Sequence, residues 1–135
     1  MNLLGLREPS IYGSATYEDL LESIRGEAAH RGVEVEFFQS NHEGTLVDAI
    51  QGAMGKVDGI VINPAAYTHT SVALLDAVKA VGIPTVEVHI SDPDTRDDFR
   101  RVSYIRAACV GTVKGRGLAG YVEAMDILLQ HLKAK

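Results

Sequence analysis

The residues best suited to chemistry are a carboxylate and an imidazole in the segment VEVHIS (86–91), at the end of an apolar run. In a β-strand, side chains two positions apart lie on the same face, so Glu87 and His89 should point the same way. A carboxylate beside an imidazole fixes one ring nitrogen and prepares the ring for acid or base chemistry. An ordinary His–Glu contact would have the same spacing, so the rest of the chain must separate the two interpretations.

A second polar cluster follows another apolar run. The segment NPAAYTHTS (63–71) comes directly after IVI (60–62). An Asn before Pro favours extended backbone, so the Asn63 amide can project from the end of a strand. A hydroxyl near residue 70 can cap the next helix, whose first N–H groups attract oxygen ligands, and His69 lies close to that start. The alternative is that His69 is a plain loop residue and the hydroxyls only cap the helix.

Arginines follow Ser91 along the chain. Ile90 and Ser91 come first, then Arg96, Arg100 and Arg101, and backbone amides at a strand end with arginine nearby suit a carboxylate or phosphate ligand. The segment also carries four aspartates, so the competing interpretation is a solvated charged turn. That interpretation suits Arg96 and Arg101 better than Arg100.

The first fifteen residues combine Arg7 and Tyr12 in a loop rich in Gly and Pro. A free tyrosine has a pKa of about 10, and a nearby guanidinium favours the phenolate. This loop could therefore be a mobile lid that carries a reactive phenol. The alternative is an ordinary aromatic residue packed on the surface.

The glycine motif GRGLAG (115–120) fits the G-x-G-x-x-G pattern of dinucleotide-binding domains. Such a domain needs a later strand with an acidic residue for the ribose, and no such strand follows here. We therefore interpret the glycines as a tight turn with close helix packing. The histidines lack metal-ligand spacing and Cys109 is the only cysteine, so we predict no metal.

Helical and extended patterns alternate along the chain and must position these groups. After a loop over residues 1–15, they predict helices from Tyr17 towards Gly32, around Leu46–Ala53, at about 70–81 and at Leu118–Leu132, and strands at Val33–Phe37, Gly59–Ile62, Pro84–Ile90 and Cys109–Val113. Alternation of this kind predicts an α/β fold with a parallel sheet covered by helices. A doubly wound domain normally starts with a central strand, whereas the first predicted element here is a helix.

Composition is typical of one soluble domain. The chain has 135 residues, 46% of them hydrophobic and 23% charged, with a net charge of -5. The acidic balance argues against a nucleic-acid partner, and no apolar run is long enough to span a membrane. The single cysteine excludes an internal disulfide and fits a reducing compartment. With no signal-peptide pattern at the start, we expect a cytoplasmic protein without a membrane partner.

Together these segments resemble type II 3-dehydroquinate dehydratase. The matching stretches cover almost the whole chain in order: NLLGLREPSIYG (2–13), QSNHEG (39–44), INPAAYTHTSVALLDA (62–77), VEVHIS (86–91), RDDFR (96–100) and GRGLAGY (115–121). The resemblance implies a single domain over residues 1–135 with a flavodoxin-like three-layer α/β/α fold, assembled as trimers into a dodecamer. It also implies a lyase that dehydrates 3-dehydroquinate to 3-dehydroshikimate without metal or cofactor. The pathway would be shikimate and aromatic amino acid biosynthesis, or quinate breakdown.

The same resemblance implies roles for individual residues. Tyr12, activated by Arg7, would remove the proton at C2, and His89, oriented by Glu87, would protonate the departing C1 hydroxyl. The implied substrate-binding set is Asn63, His69, Asp76, Ile90, Ser91 and Arg100, with Asp76 reaching a neighbouring subunit's site and Arg96 in a closing lid.

One departure from the family pattern keeps an alternative open. Family members begin with an apolar strand that ends in Gly-Pro-Asn-Leu, just before the position of Asn2, and that strand is not in this sequence. The alternative is a catalytically impaired member that binds a hydroxylated carboxylic acid or only assembles. A third hypothesis, based on the glycine motif alone, is a nucleotide or flavin module.

Overall fold

The computed structural model describes residues 16–91 and 102–134. The helices are α1 (Tyr17–His30), α2 (Glu43–Gly52), α3 (Val72–Val81) and α4 (Gly120–Lys133), and the strands are β1 (Ile60–Ile62), β2 (Thr85–His89) and β3 (Gly111–Lys114). Short 3-10 helices cover Ala65–His69, Ile105–Ala108 and Gly117–Ala119. Within the described ranges, none of the helices has the length and apolarity needed to cross a membrane.

The predicted helix starts are confirmed for α1 and α3, and α3 ends at Val81 as predicted, whereas α1 ends at His30, before Gly32. Thr16 Oγ1 accepts a hydrogen bond from the Asp19 N–H at 3.2 Å, and Asp19 Oδ2 accepts one from the Thr16 N–H at 3.0 Å, which completes a capping box. Ser71 caps α3, since its Oγ accepts the Leu74 N–H at 3.0 Å. Gly82 follows α3 with a φ of 67°, a backbone conformation that glycine adopts without strain.

The predicted parallel sheet is also confirmed. The three strands of the described chain lie in the order β1-β2-β3, and both pairings are parallel. All five residues of the central strand β2 are buried. A central strand covered on both faces explains the continuous burial, because parallel sheets carry helices on each side.

The two faces of the sheet differ in character. Val86 and Val88 pack with Ala124 and Leu128 of α4. Glu87 lies beside Ile62 in the sheet register, and Ile62 packs against the cluster formed by α2, α3 and the 3-10 helix Ile105–Ala108. Since neighbouring residues in register share a face, Glu87 points into the α2–α3 layer. With α1 packed on α4 on the opposite side, the architecture has three layers.

The predicted strand at Val33–Phe37 is wrong. These residues have no regular secondary structure and no ladder partner among the described residues. Val33 and Phe37 nevertheless pack against the apolar cluster of α1 and α4, and the Arg25 guanidinium lies 5.2 Å from the centre of the Phe37 ring. Val35 between them is 37% exposed, so the alternating pattern does not mark a segment with one buried face.

The last strand and helix are shifted from their predicted bounds. Cys109 ends the 3-10 helix Ile105–Ala108, so β3 begins two residues later than predicted, at Gly111. The glycine motif forms a turn, with a φ of 73° at Gly115 and 61° at Gly117. A β-carbon at Gly120 would lie only 3.3 Å from Val88 Cγ2. The interpretation of the motif as a tight turn with close helix packing is thus confirmed.

Gly59 gives a direct test of the contact between α4 and the start of β1. A β-carbon there would lie 2.5 Å from Leu128 Cδ2, and Leu128 is buried. We expect Gly59→Ala to lower the free energy of unfolding by about 1–3 kcal/mol, measured by urea unfolding followed by circular dichroism.

Gly26 supplies the matched control for this substitution. It lies within α1 with no atom within 4 Å of an added β-carbon. Gly26→Ala should raise the free energy of unfolding by about 0.5–1 kcal/mol, because alanine loses less backbone entropy in a helix. Equal stability of the Gly59→Ala variant and the unsubstituted protein would contradict this description of the interface.

Candidate active site

Glu87 and His89 form a buried pair at the carboxyl end of β2. The distance from His89 Nε2 to Glu87 Oε2 is 2.5 Å, and the two residues are 7% and 0% exposed. The sequence prediction that they share a face and meet is confirmed. Since Nε2 is bound to the carboxylate, the other ring nitrogen, Nδ1, is the one that can meet a ligand.

Three further side chains donate hydrogen bonds to Glu87. Ser103 Oγ donates to Oε2 at 2.9 Å, Arg106 Nε donates to Oε1 at 3.0 Å, and Arg106 Nη2 reaches Oε2 at 3.3 Å. Thr112 Oγ1 lies 3.3 Å from Oε1. The carboxylate therefore has a partner from its own strand, from the segment after residue 101 and from β3.

Sequence reasoning missed these three partners. Thr112 could have been found only with the register of β3, which places it beside Glu87. Ser103 and Arg106 lie 16 and 19 positions away in sequence, on a segment without a diagnostic motif. Only the packing of the 3-10 helix Ile105–Ala108 over the sheet brings them to the carboxylate.

These contacts determine the ionisation of Glu87. Burial alone would raise the pKa of the carboxyl, but hydrogen bonds from His89, Arg106 and Ser103 outweigh burial and lower the pKa from 4.5 to about 2. Glu87 is therefore ionised at neutral pH, although it has no exposed surface. An ionised Glu87 accepts a hydrogen bond from the His89 ring.

Asn63 connects the end of β1 to α4. Its Oδ1 accepts the Ala65 N–H at 2.9 Å, and its Nδ2 donates to the Tyr121 hydroxyl at 2.8 Å. Burial raises the pKa of Tyr121 to about 12, more than the Asn63 hydrogen bond lowers it. The Tyr121 phenol therefore stays protonated at neutral pH. Sequence reasoning treated Tyr121 only as an apolar residue of the last helix and missed its hydroxyl at this strand end.

His69 ends the 3-10 helix Ala65–His69 and is held by the chain that runs towards Glu87. The distance from His69 Nδ1 to the Val102 carbonyl oxygen is 2.7 Å. A carbonyl oxygen can only accept, so Nδ1 carries the proton in this contact. Val102 precedes Ser103, one of the donors to Glu87, so residues 102–103 connect His69 to the carboxylate.

The other predicted site residues are placed as follows. Ile90 is buried, and its carbonyl oxygen accepts the Gly117 N–H at 2.9 Å, which ties the glycine turn to the end of β2. Ser91 follows and is partly exposed, and Asp76 is exposed on α3. The predicted residues Arg7, Tyr12, Arg96 and Arg100 lie outside the described residues.

Polar groups thus lie at the carboxyl ends of two adjacent parallel strands. Asn63 is one residue beyond Ile62, which is level with Glu87, so Asn63 lies at the same edge of the sheet as His89. Open α/β sheets bind ligands at this edge. This edge of the sheet thus carries an imidazole held by a carboxylate and, on the neighbouring strand, the Asn63 amide.

Comparison with known proteins decides the family. The sequence profile described as dehydroquinase class II matches residues 1–129. This chain belongs to the class II dehydroquinase family. The resemblance that we drew from the motifs is thereby confirmed.

Individual class II dehydroquinase relatives are similar over nearly their full length. A 3-dehydroquinate dehydratase from Corynebacterium glutamicum is 57% identical over 128 residues, which cover 95% of this chain and 88% of the relative. A catabolic 3-dehydroquinase from Verticillium alfalfae is 50% identical over 135 residues, covering 100% and 90%. The crystal structure of a type II dehydroquinase from Butyrivibrio crossotus superposes with a TM-score of 0.93 at 47% identity, covering 95% and 90%.

The ionised Glu87 predicts a specific acid sensitivity of this class II dehydroquinase. Because the pKa of Glu87 is lower in the folded state, the unfolded chain binds the extra proton as the pH falls from 4.5 to about 2. The contribution of Glu87, about 3 kcal/mol, is present above that range and lost within it. The free energy of unfolding of Glu87→Gln should therefore fall less steeply with decreasing pH than that of the unsubstituted protein.

Urea unfolding at several acidic pH values measures this difference. The control is Glu22→Gln, since Glu22 forms an exposed ion pair with Arg25 on α1 and should leave the slope unchanged. Identical slopes for Glu87→Gln and the unsubstituted protein would refute an ionised Glu87 in the fold.

Proposed function

We propose that the protein dehydrates 3-dehydroquinate to 3-dehydroshikimate, as a hydro-lyase without metal or cofactor. The observation that carries the proposal is the buried Glu87–His89 pair at the ligand-binding edge of the sheet, in a chain of the class II dehydroquinase family. The names of the similar proteins supply the substrate, and the oriented imidazole supplies a chemical group that the reaction needs.

The reaction removes water from a cyclic hydroxy-ketone. A base takes the proton from C2, beside the C3 ketone, and the electrons move to the ketone oxygen to form an enolate. The enolate then expels the C1 hydroxyl, which takes a proton from a general acid and leaves as water, and the product has a C1–C2 double bond conjugated to the ketone. An acid, a base and donors for the enolate oxygen are thus required.

His89 fits the role of the acid. Glu87 holds Nε2, so Nδ1 can deliver a proton to the departing hydroxyl. The pair is 0% and 7% exposed, which limits competing exchange with water.

Tyr12 is the proposed base, with Arg7 as its activating neighbour. Support comes from the segment NLLGLREPSIYG (2–13), which matches the family motif, and from the chemistry of a phenolate as a base. A guanidinium next to a phenol favours the phenolate. Tyr121 is not the proposed base, because burial raises its pKa to about 12 and keeps its phenol protonated at neutral pH.

The proposed substrate contacts come from both strand ends and from the segment after Ser91. Asn63 and His69 lie near the end of β1, the N–H groups of Ile90 and Ser91 lie at the end of β2, and Arg100 would pair with the substrate carboxylate. We assign Arg96 to a closing lid and Asp76 to a contact with a neighbouring subunit. The exposed position of Asp76 on α3 is compatible with such a contact.

The assembly and setting are part of the same proposal. We infer a single domain that forms trimers and a dodecamer, with no nucleic-acid or membrane partner, in the cytoplasm. The pathway is either aromatic amino acid biosynthesis through shikimate or quinate breakdown, and the relatives include one named as catabolic.

A specific observation favours the second candidate function, a family member that binds a hydroxylated carboxylic acid or only assembles. Residues 33–37 lack a ladder partner among the described residues, so the described part of the sheet has three strands where the sequence pattern predicts four. Calorimetric binding of 3-dehydroquinate without turnover would support this candidate.

Turnover of 3-dehydroquinate tests the main proposal. The conjugated enone of the product absorbs in the ultraviolet, so its appearance gives the rate directly. The unsubstituted protein should turn over, and Tyr12→Phe should lower kcat by about a hundredfold to ten-thousandfold, because the general base is lost.

Tyr104→Phe is the matched control for the loss of a phenol. Tyr104 is 41% exposed, and its backbone N–H donates to the Thr68 carbonyl oxygen. This variant should retain the activity of the unsubstituted protein. Tyr12→Phe with undiminished turnover would refute Tyr12 as the base, and no turnover by the unsubstituted protein would refute the dehydratase proposal.

A further inference from the structure

Arg106 stands out because its cation meets a carboxylate that already has an imidazole partner. Its Nε and Nη2 donate to the two Glu87 oxygens at 3.0 and 3.3 Å, while His89 Nε2 is 2.5 Å from Oε2. The Arg106 side chain is 33% exposed and the Glu87 side chain is 0% exposed. One buried negative charge is thus shared between a permanent cation and a group that gains and loses a proton.

The charge balance differs with and without the guanidinium. If His89 alone compensated Glu87, loss of the His89 proton would leave a lone buried carboxylate, which is strongly unfavourable. The imidazole would then hold its proton too firmly to act as a good acid. With Arg106 in place, Glu87 remains compensated whether or not His89 is protonated.

We propose that Arg106 is a positioning residue of the general acid, which holds Glu87 fixed and ionised so that His89 can release its proton and take up another. This inference rests on the proposed function for its kinetic consequence. It extends that function, because neither the motifs nor the roles assigned above include residue 106.

Arg106 acts through geometry as well as charge. A guanidinium binds both carboxylate oxygens in one plane, so it fixes the rotation of the Glu87 carboxylate. Ser103 and Thr112 each bind one oxygen and add no charge. The orientation of the His89 ring therefore depends on a clamp from the 3-10 helix Ile105–Ala108.

The other ionisable groups near the pair do not replace this cation. Burial raises the pKa of the Cys109 thiol to about 12, so Cys109 stays neutral. Lys114 lies beside His89 in the β3 register and has interactions of its own. His69 is bound through Nδ1 to the Val102 carbonyl oxygen. Among the described residues, Arg106 is the permanent cation that donates hydrogen bonds to Glu87.

The substitutions Arg106→Gln and Arg106→Lys separate charge from geometry. Without the cation, the imidazolium is favoured, so in Arg106→Gln the alkaline limb of kcat/KM, where the acid loses its proton, should move to higher pH. Looser positioning should also lower kcat by about tenfold to a hundredfold. Arg106→Lys keeps the charge but not the planar clamp, so its alkaline limb should stay in place while kcat falls.

Proton NMR of the His89 ring gives a readout that does not depend on turnover. The His89 signal is assigned by its absence in His89→Gln, and its titration midpoint should move to higher pH in Arg106→Gln and stay near its original position in Arg106→Lys. Arg25→Gln, which removes an exposed arginine–carboxylate pair on α1, is the control and should change neither the titration nor the rate.

The outcomes distinguish this inference from the proposed function. If Arg106→Gln lowers stability without moving the His89 titration or the pH profile, Arg106 is merely structural and the inference is overturned. If Arg106→Gln does not fold, the Arg106→Lys variant decides: an unchanged kcat in that variant would show that the planar contact of Arg106 does not position Glu87, and the inference is overturned. If the unsubstituted protein does not turn over 3-dehydroquinate but Arg106→Gln still shifts the His89 titration, this inference holds and the dehydratase proposal fails.

Discussion

A carboxylate without contact to water stays ionised only where hydrogen bonds and opposite charge replace its hydration, and Glu87 meets this condition. Its partners come from β2, from the segment 102–108 and from β3. The carboxylate therefore holds three parts of the chain in one arrangement. The orientation of His89, and with it the proposed acid chemistry, depends on that arrangement.

The parallel sheet makes this polar cluster compatible with a stable core. Alternation along β2 sends Val86 and Val88 into the apolar contact with α4, while Glu87 and His89 point to the opposite face. A shift of the β2 register by one residue would bury the ionised pair against α4 and expose the valines to the polar cluster. The apolar face thus specifies the register on which the site depends.

The ends of the strands are tied to the last helix by two polar contacts. Asn63 donates to the Tyr121 hydroxyl on α4, and the Ile90 carbonyl oxygen accepts the Gly117 N–H of the preceding turn. Both contacts lie at the edge of the sheet where ligands bind in such folds. The glycine motif therefore serves packing: it lets the chain turn from β3 and brings α4 close to Val88.

The sequence by itself determined the α/β class, the parallel sheet, the capped helices and the Glu87–His89 contact, because these follow from local spacing and from side-chain periodicity. The family motifs added the identity of the fold and the candidate roles. Only the tertiary structure decided that Val33–Phe37 lacks a ladder partner among the described residues, since pairing depends on a neighbouring edge that periodicity cannot reveal. Likewise, Ser103, Arg106 and Thr112 reach Glu87 only through packing between elements far apart in sequence, so no local pattern marks them as its partners.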